Sequence, residues 1–173
     1  TLLSSPVADA DTSLSTAPVR DFYAIWMRLP YNQVMVGTGV YVLSKEGRAR
    51  FGKFPDIIGD DAFVRSQFRL EERGTDPRAR VRVIAPRTWK DLIRVKTRSR
   101  VGGYQLREKH PGLNASDPKN LFRIIASFPI GPRLPIQLLV YLWLNVEVRL
   151  RARRLLSRRS VITWERDEVS RSA

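Results

Sequence analysis

FPDIIGDDAF, residues 54–63, sets two adjacent carboxylates behind an apolar run and a glycine, in a chain otherwise rich in arginine. PDII reads as a short apolar strand, Gly59 bends the chain, and DDAFVRSQF opens a helix with Val64 and Phe68 on one face. Asp60 and Asp61 are thus expected at a strand's carboxyl end and a helix's amino end. Working outward, residues 69–78 read as a charged loop, and RARVRVIA, with Val81 and Val83 between arginines, as a half-exposed strand. Thr88 then starts a basic helix through roughly Leu106. Upstream, VGTGVYVLS is a glycine turn into a β-rich run, after which Ser44 caps a short helix, KEGRARF, ended by Gly52. Before it, TAPVRDFYAIWMRLPY carries Thr16 as an N-cap, Pro18 in the first turn, and Val19, Phe22, Trp26 and Leu29 at helical spacing up to Pro30. Strands alternating with helices predict an α/β sheet domain over residues 1–110.

Composition narrows the chemistry. The 173 residues are 43% hydrophobic, enough for one domain with a core. Thirty-one Lys and Arg against 17 Asp and Glu leave a formal charge of +14, which suits a polyanion, an anionic membrane surface or a phosphate-bearing substrate. The chain has no cysteine and a single histidine, His110, which excludes disulfides, thiolate zinc sites, cysteine nucleophiles and histidine metal clusters. TLLSSPVADADTSLS begins without Met and without a signal-peptide pattern, and is expected to continue a longer protein.

The last third, residues 111–173, changes character. LFRIIASF and LPIQLLVYLWLNV are apolar stretches split by PIGPR, and the second runs into EVRLRARRLLSRR. Each is shorter than the ~20 residues that span a bilayer. Two readings stay open: a helix at a membrane interface with arginines reaching lipid phosphates, or a core helix with a solvated basic end.

An N-cap role explains one acid of the 60–61 pair. Ligands of open α/β sheets bind beyond strand carboxyl ends, and a second carboxylate there, beside a like charge, suits a general base with coupled titration. The segment RVKTRSRVGGYQLR, residues 94–107, offers guanidiniums that match phosphate oxygens and two glycines, Gly102 and Gly103, that admit close backbone approach. A solvated helix face, or nucleic-acid contact with Trp89 and Tyr104 as stacking surfaces, are the other readings of this run, and no nucleic-acid motif accompanies it. Gly37 and Gly39 do not form a dinucleotide fingerprint, which needs a preceding strand and a third glycine before a helix.

GTGVYVLSKEGRARFGKFPDIIGDDAFVRSQF, APRTWKDLIRVKTRSRVGG and the terminal TWERDE together resemble the later half of bacterial family-two glycosyltransferases, nucleotide-sugar enzymes of the Rossmann-like GT-A fold. The resemblance covers roughly residues 15–106 and, more weakly, the chain's end. It implies that Asp61 is the base that deprotonates an acceptor hydroxyl, with Asp60 where the family usually has Glu. Of that family's Gln-x-x-Arg-Trp motif, Arg98 matches the arginine, with Val95 and Ser99 in place of Gln and Trp and Arg100 as a neighbour that could serve instead. The resemblance places Gly37 and Gly39 beside the acceptor, while Gly102 belongs to the arginine run whose forks suit a diphosphate leaving group. It further implies a divalent cation, Mg2+ or Mn2+, held by an Asp-x-Asp motif. Asp9 and Asp11 have that spacing, but SSPVA is a weak strand, so Asp11 is expected in a loop and the metal motif upstream of Thr1. The fold expected is a partial GT-A-type domain followed by a helical tail. The activity expected is inverting transfer from a nucleotide-sugar donor to a sugar or lipid-linked acceptor, in the cytoplasm, peripheral at the inner membrane face. The rival is a non-catalytic basic module that binds nucleic acid or an anionic membrane.

Overall fold

The computed structural model describes residues 1–29, 39–113 and 131–157. Its centre is a strand where the sequence predicts a loop: β1 spans Leu3–Asp11 and lies in the middle of a three-stranded sheet. Serine, alanine and proline give this stretch little strand propensity of its own. Neighbours on both edges supply the ladder, and tertiary pairing outweighs the local preference. On one side β2, Val42–Leu43, runs antiparallel to Leu3 and Ser4. On the other, β3, Arg73–Ile84, runs parallel from Leu3 opposite Arg73 to Asp11 opposite Ile84. The register slips between Pro6 and Val7, where Pro77, Arg78 and Ala79 bulge out of β3. Pro6 has no N–H to give to the ladder, and the Arg78 N–H turns back to Asp76 Oδ1 at 2.9 Å.

The α/β class is therefore as expected, with a small mixed sheet. The charged run at 69–78 is mostly not loop: a 3-10 turn at Leu70–Glu72 leads straight into β3. Arg50 forms a two-pronged ion pair with Glu72, at 2.5 Å for its closer contact, which ties the entry of β3 to the segment after β2. Residues 55–58 form no strand. Pro55 lacks a donor, the Ile57 N–H returns to the Pro55 carbonyl at 2.9 Å, and the next N–H goes to a helix side chain rather than to a sheet.

Helix α1, Ala17–Trp26, starts with Pro18 in its first turn and ends before Leu29, which is nonetheless buried; Pro30 lies outside the described residues. α2, Lys45–Arg48, is capped by Ser44, whose Oγ accepts the Gly47 N–H at 3.0 Å, and stops short of Gly52. α3 is Asp60–Ser66. α4, Trp89–Lys109, is capped by Thr88, whose Oγ1 accepts the Asp91 N–H. α5, Leu134–Ser157, comes from the expected tail and packs against both α1 and α4.

Two clusters carry the core. Val19, Phe22, Leu92, Ile93, Leu144 and Val148 join α1, α4 and α5 over Ala10 and Ala85 of the sheet end. Leu3, Phe63, Val64, Phe68 and Leu106 fix α3 and the last turns of α4 to the sheet's other end. The inner face of α5 is thus part of the same core as residues 1–110. Among the described residues no helix is long and apolar enough to cross a membrane.

Candidate functional site

Asp60 and Asp61 both lie in the first turn of α3, so neither is its N-cap; Gly59 holds that position with φ +95°. Only glycine adopts this left-handed geometry without steric cost, and it turns the chain from the apolar stretch into the helix. Both carboxylates face the positive end of the helix. Asp60 is exposed, while Asp61 is half-buried and its Oδ1 accepts the Ala62 N–H at 2.8 Å. Tyr41 stands nearby: its phenol is pushed up first by burial and then by the charges of Asp60 and Asp61. Nothing in the sequence links Tyr41 to the acids; its place before β2 in the fold does.

The turn that carries the acids is clamped to α4. A Cβ at Gly102 would lie 1.8 Å from the Ile58 carbonyl oxygen, so the helix and the loop touch backbone to backbone. Gln105 accepts the Ile58 N–H at 3.0 Å, and Lys109 Nζ donates to the Asp56 carbonyl at 2.7 Å. Gly102 therefore closes a packing contact that aims Asp60 and Asp61. Arg98 is half-buried one turn before it, on the same helical face as Gly102 and Gln105. Arg100 lies on the opposite face, where it donates to Asn145 of α5 at 3.3 Å. Burial first, and then Arg149, lowers its pKa. The two arginines that are adjacent candidates in sequence are thus separated by the helix. Gly39 has φ +76°, and Gly37 lies outside the described residues.

Asp11 is the last residue of β1 and not a loop residue. Ala10 packs into the core, so strand alternation sends Asp9 and Asp11 together to the other side of β1. Asp11 is held down to about 2, first by the Ser13 N–H on Oδ1 at 2.9 Å and the Ser13 side chain, then by Arg82, which pairs with Oδ2. Asp9 is exposed and stands opposite Arg82 in the ladder. Among the described residues no three acidic or histidine side chains gather into a ready cation cage.

A further charged group lies within the 94–107 run, whose sequence reading assigns it no role. Lys96 of α4 brings Nζ to 3.6 Å from the Trp26 ring centroid, with Phe22 and Tyr23 at 5.3 and 5.5 Å. Burial pushes its ammonium down to about 7, against the pull of the three ring faces. Phe22 and Trp26 of α1 were legible as part of its apolar stripe, but neither Tyr23 nor the cation that the three rings enclose was. Comparison with protein-family models, with curated proteins and with solved structures finds no match to this chain.

Proposed function

We propose that the chain is the acceptor side of an inverting, nucleotide-sugar-dependent glycosyltransferase of the GT-A type. The observation that carries the reading is the acid pair on α3, held in place by the backbone contact of Ile58 with Gly102 and shadowed by Arg98 on the same face of α4. A general base must be positioned within hydrogen-bonding reach of the proton it removes, and a clamped helix start does this better than a free loop. Asp61, half-buried, takes the proton of the acceptor hydroxyl as the oxygen attacks the donor's anomeric carbon. Asp60, exposed in the same first turn, stands where that family usually has Glu. Arg98, on the face of α4 that the Ile58 loop touches, is assigned to the departing diphosphate, while Arg100 bonds Asn145 of α5.

The implied cation has a plausible pair of donors in this chain. Mg2+ is ordinarily bound by one or two carboxylates completed by substrate phosphates, and Asp9 and Asp11, on one side of a strand end, fit that donor set. A cation held there would neutralise charge on the leaving diphosphate. Asp11 would have to exchange Arg82 for it. The nucleic-acid alternative draws on residues 94–107, but there Arg94 is paired with Asp91 and Arg100 bonds Asn145, which leaves fewer guanidiniums for a phosphate backbone.

The test expresses the whole reading frame that encodes this chain and assays it on a panel of nucleotide sugars with Mg2+ or Mn2+. Asp61→Asn should lower kcat by roughly 100- to 10,000-fold, the usual contribution of a general base. Undiminished turnover in Asp61→Asn removes the base from the mechanism.

A further inference from the structure

Helix α5 is apolar on two opposite sides, and among the described residues only one is covered. Tyr141, Leu144, Val148 and Ala152 face α1 and α4. Ile136, Leu139, Leu142, Trp143, Val146 and Leu150 recur every three or four residues on the other side, in a stripe roughly 120° wide and about 21 Å long. They are exposed, Leu139 by 68% and Trp143 by 67%. Soluble monomers rarely leave so continuous an apolar face in water.

Charge identifies what covers it. At the stripe's carboxyl end stand Arg149, Arg153 and Arg154, all exposed. The one acid of the helix, Glu147, is half-buried and tied to Arg151 at 2.7 Å. A second copy would bring another +14 against this one, which opposes self-association, whereas an anionic surface is attracted by it. We propose that the outward face of α5 docks the protein on an anionic phospholipid surface, with the helix lying in the plane of the interface. The apolar side chains enter the headgroup boundary, and the arginines reach lipid phosphates along their flexible stems. Residues 134–157 are thereby both core and membrane contact, one face for each. The inference stands apart from the glycosyltransferase reading, because docking needs no sugar donor and no Asp61.

Flotation of the full 173-residue chain tests it, with vesicles of phosphatidylcholine alone and of phosphatidylcholine mixed with phosphatidylglycerol. The chain should float with the mixed vesicles, less so as salt rises, and the triple variant Leu139→Ser, Trp143→Ser, Val146→Ser should stay behind. Arg149→Gln, Arg153→Gln and Arg154→Gln should each weaken retention about fivefold. Circular dichroism checks the fold of each variant. Brominated lipid should quench a tryptophan signal in the wild type that Trp143→Phe lacks, which keeps the test valid should the triple variant fail to fold. Absence of flotation, equal flotation of a folded triple variant, unquenched Trp143, or a wild-type dimer that this variant splits would each overturn the proposal.

Discussion

Two neighbouring glycines in α4 should respond to the same substitution with opposite signs. At Gly102 a methyl group would sit 1.8 Å from the Ile58 carbonyl oxygen and 2.6 Å from its carbon, both backbone atoms. Relieving this means moving the loop well over an ångström, which also loosens the Ile58 N–H from Gln105. Overpacking against two backbone atoms falls at the upper end of the usual range, about 2–3 kcal/mol, and the ~1 kcal/mol that alanine gains over glycine within a helix leaves a net loss of about 1–2 kcal/mol. At Gly103 a methyl group meets nothing within 4 Å, so only the helix gain remains. Gly102→Ala should therefore lower Tm by about 2–8 °C and Gly103→Ala should raise it by about 1–4 °C. Thermal unfolding followed by circular dichroism reads both, and amide exchange at Ile58 reports whether the loop has lifted. A Gly102→Ala protein as stable as the wild type would refute the backbone contact, and with it the clamp that aims Asp61.

The ammonium of Lys96, lowered from 10.5 to about 7, makes stability depend on pH with a definite sign. Between those values the unfolded chain binds the extra proton, so stability rises with pH, by at most about 1.4 kcal/mol per pH unit. The stability gap between the wild type and Lys96→Met, measured in urea at pH 7 and pH 9, should shift towards the wild type at pH 9; a constant gap would mean that the rings around Lys96 offset its burial completely. Leu144, 1% exposed against α1 and α4, should cost about 2–5 kcal/mol as Leu144→Ala, whereas Leu139→Ala on the outward face should stay within about 0.5 kcal/mol. Similar losses at the two positions would show that α5 does not pack by one face alone.

Local signals in the chain were strong where the physics is local. Thr88 and Ser44 bond the N–H groups that caps are expected to satisfy, and Gly59 takes the positive φ that a bend demands. Val81 and Val83 alternate with arginines as a half-exposed strand should. The misreadings have one origin. PDII is apolar enough for a strand but finds a helix as partner, and SSPVADAD is too polar and small to look like one but lies between two partners. Strand formation is a property of the pair, and the partner is invisible in a local window. Of the candidate site, Asp60 and Asp61 were visible as an oddity of charge and Arg98 through the resemblance. Tyr41 and the clamp of Gln105 and Lys109 emerge only when residues about 20 and about 50 apart in the chain, respectively, are brought together.

By itself, then, the sequence determined composition, charge, the α/β class, the caps at Ser44 and Thr88 and the acid pair, because each depends on residue type or on spacing of a few positions. Tertiary structure decided three things. It made the Asp9–Asp11 segment the central strand, through ladders on both edges. It gave Arg98 and Arg100 different surroundings, since α5 packs against the face of α4 that carries Arg100. And it separated the faces of α5, whose apolar residues are alike in sequence until α1 and α4 cover one side and leave the other open.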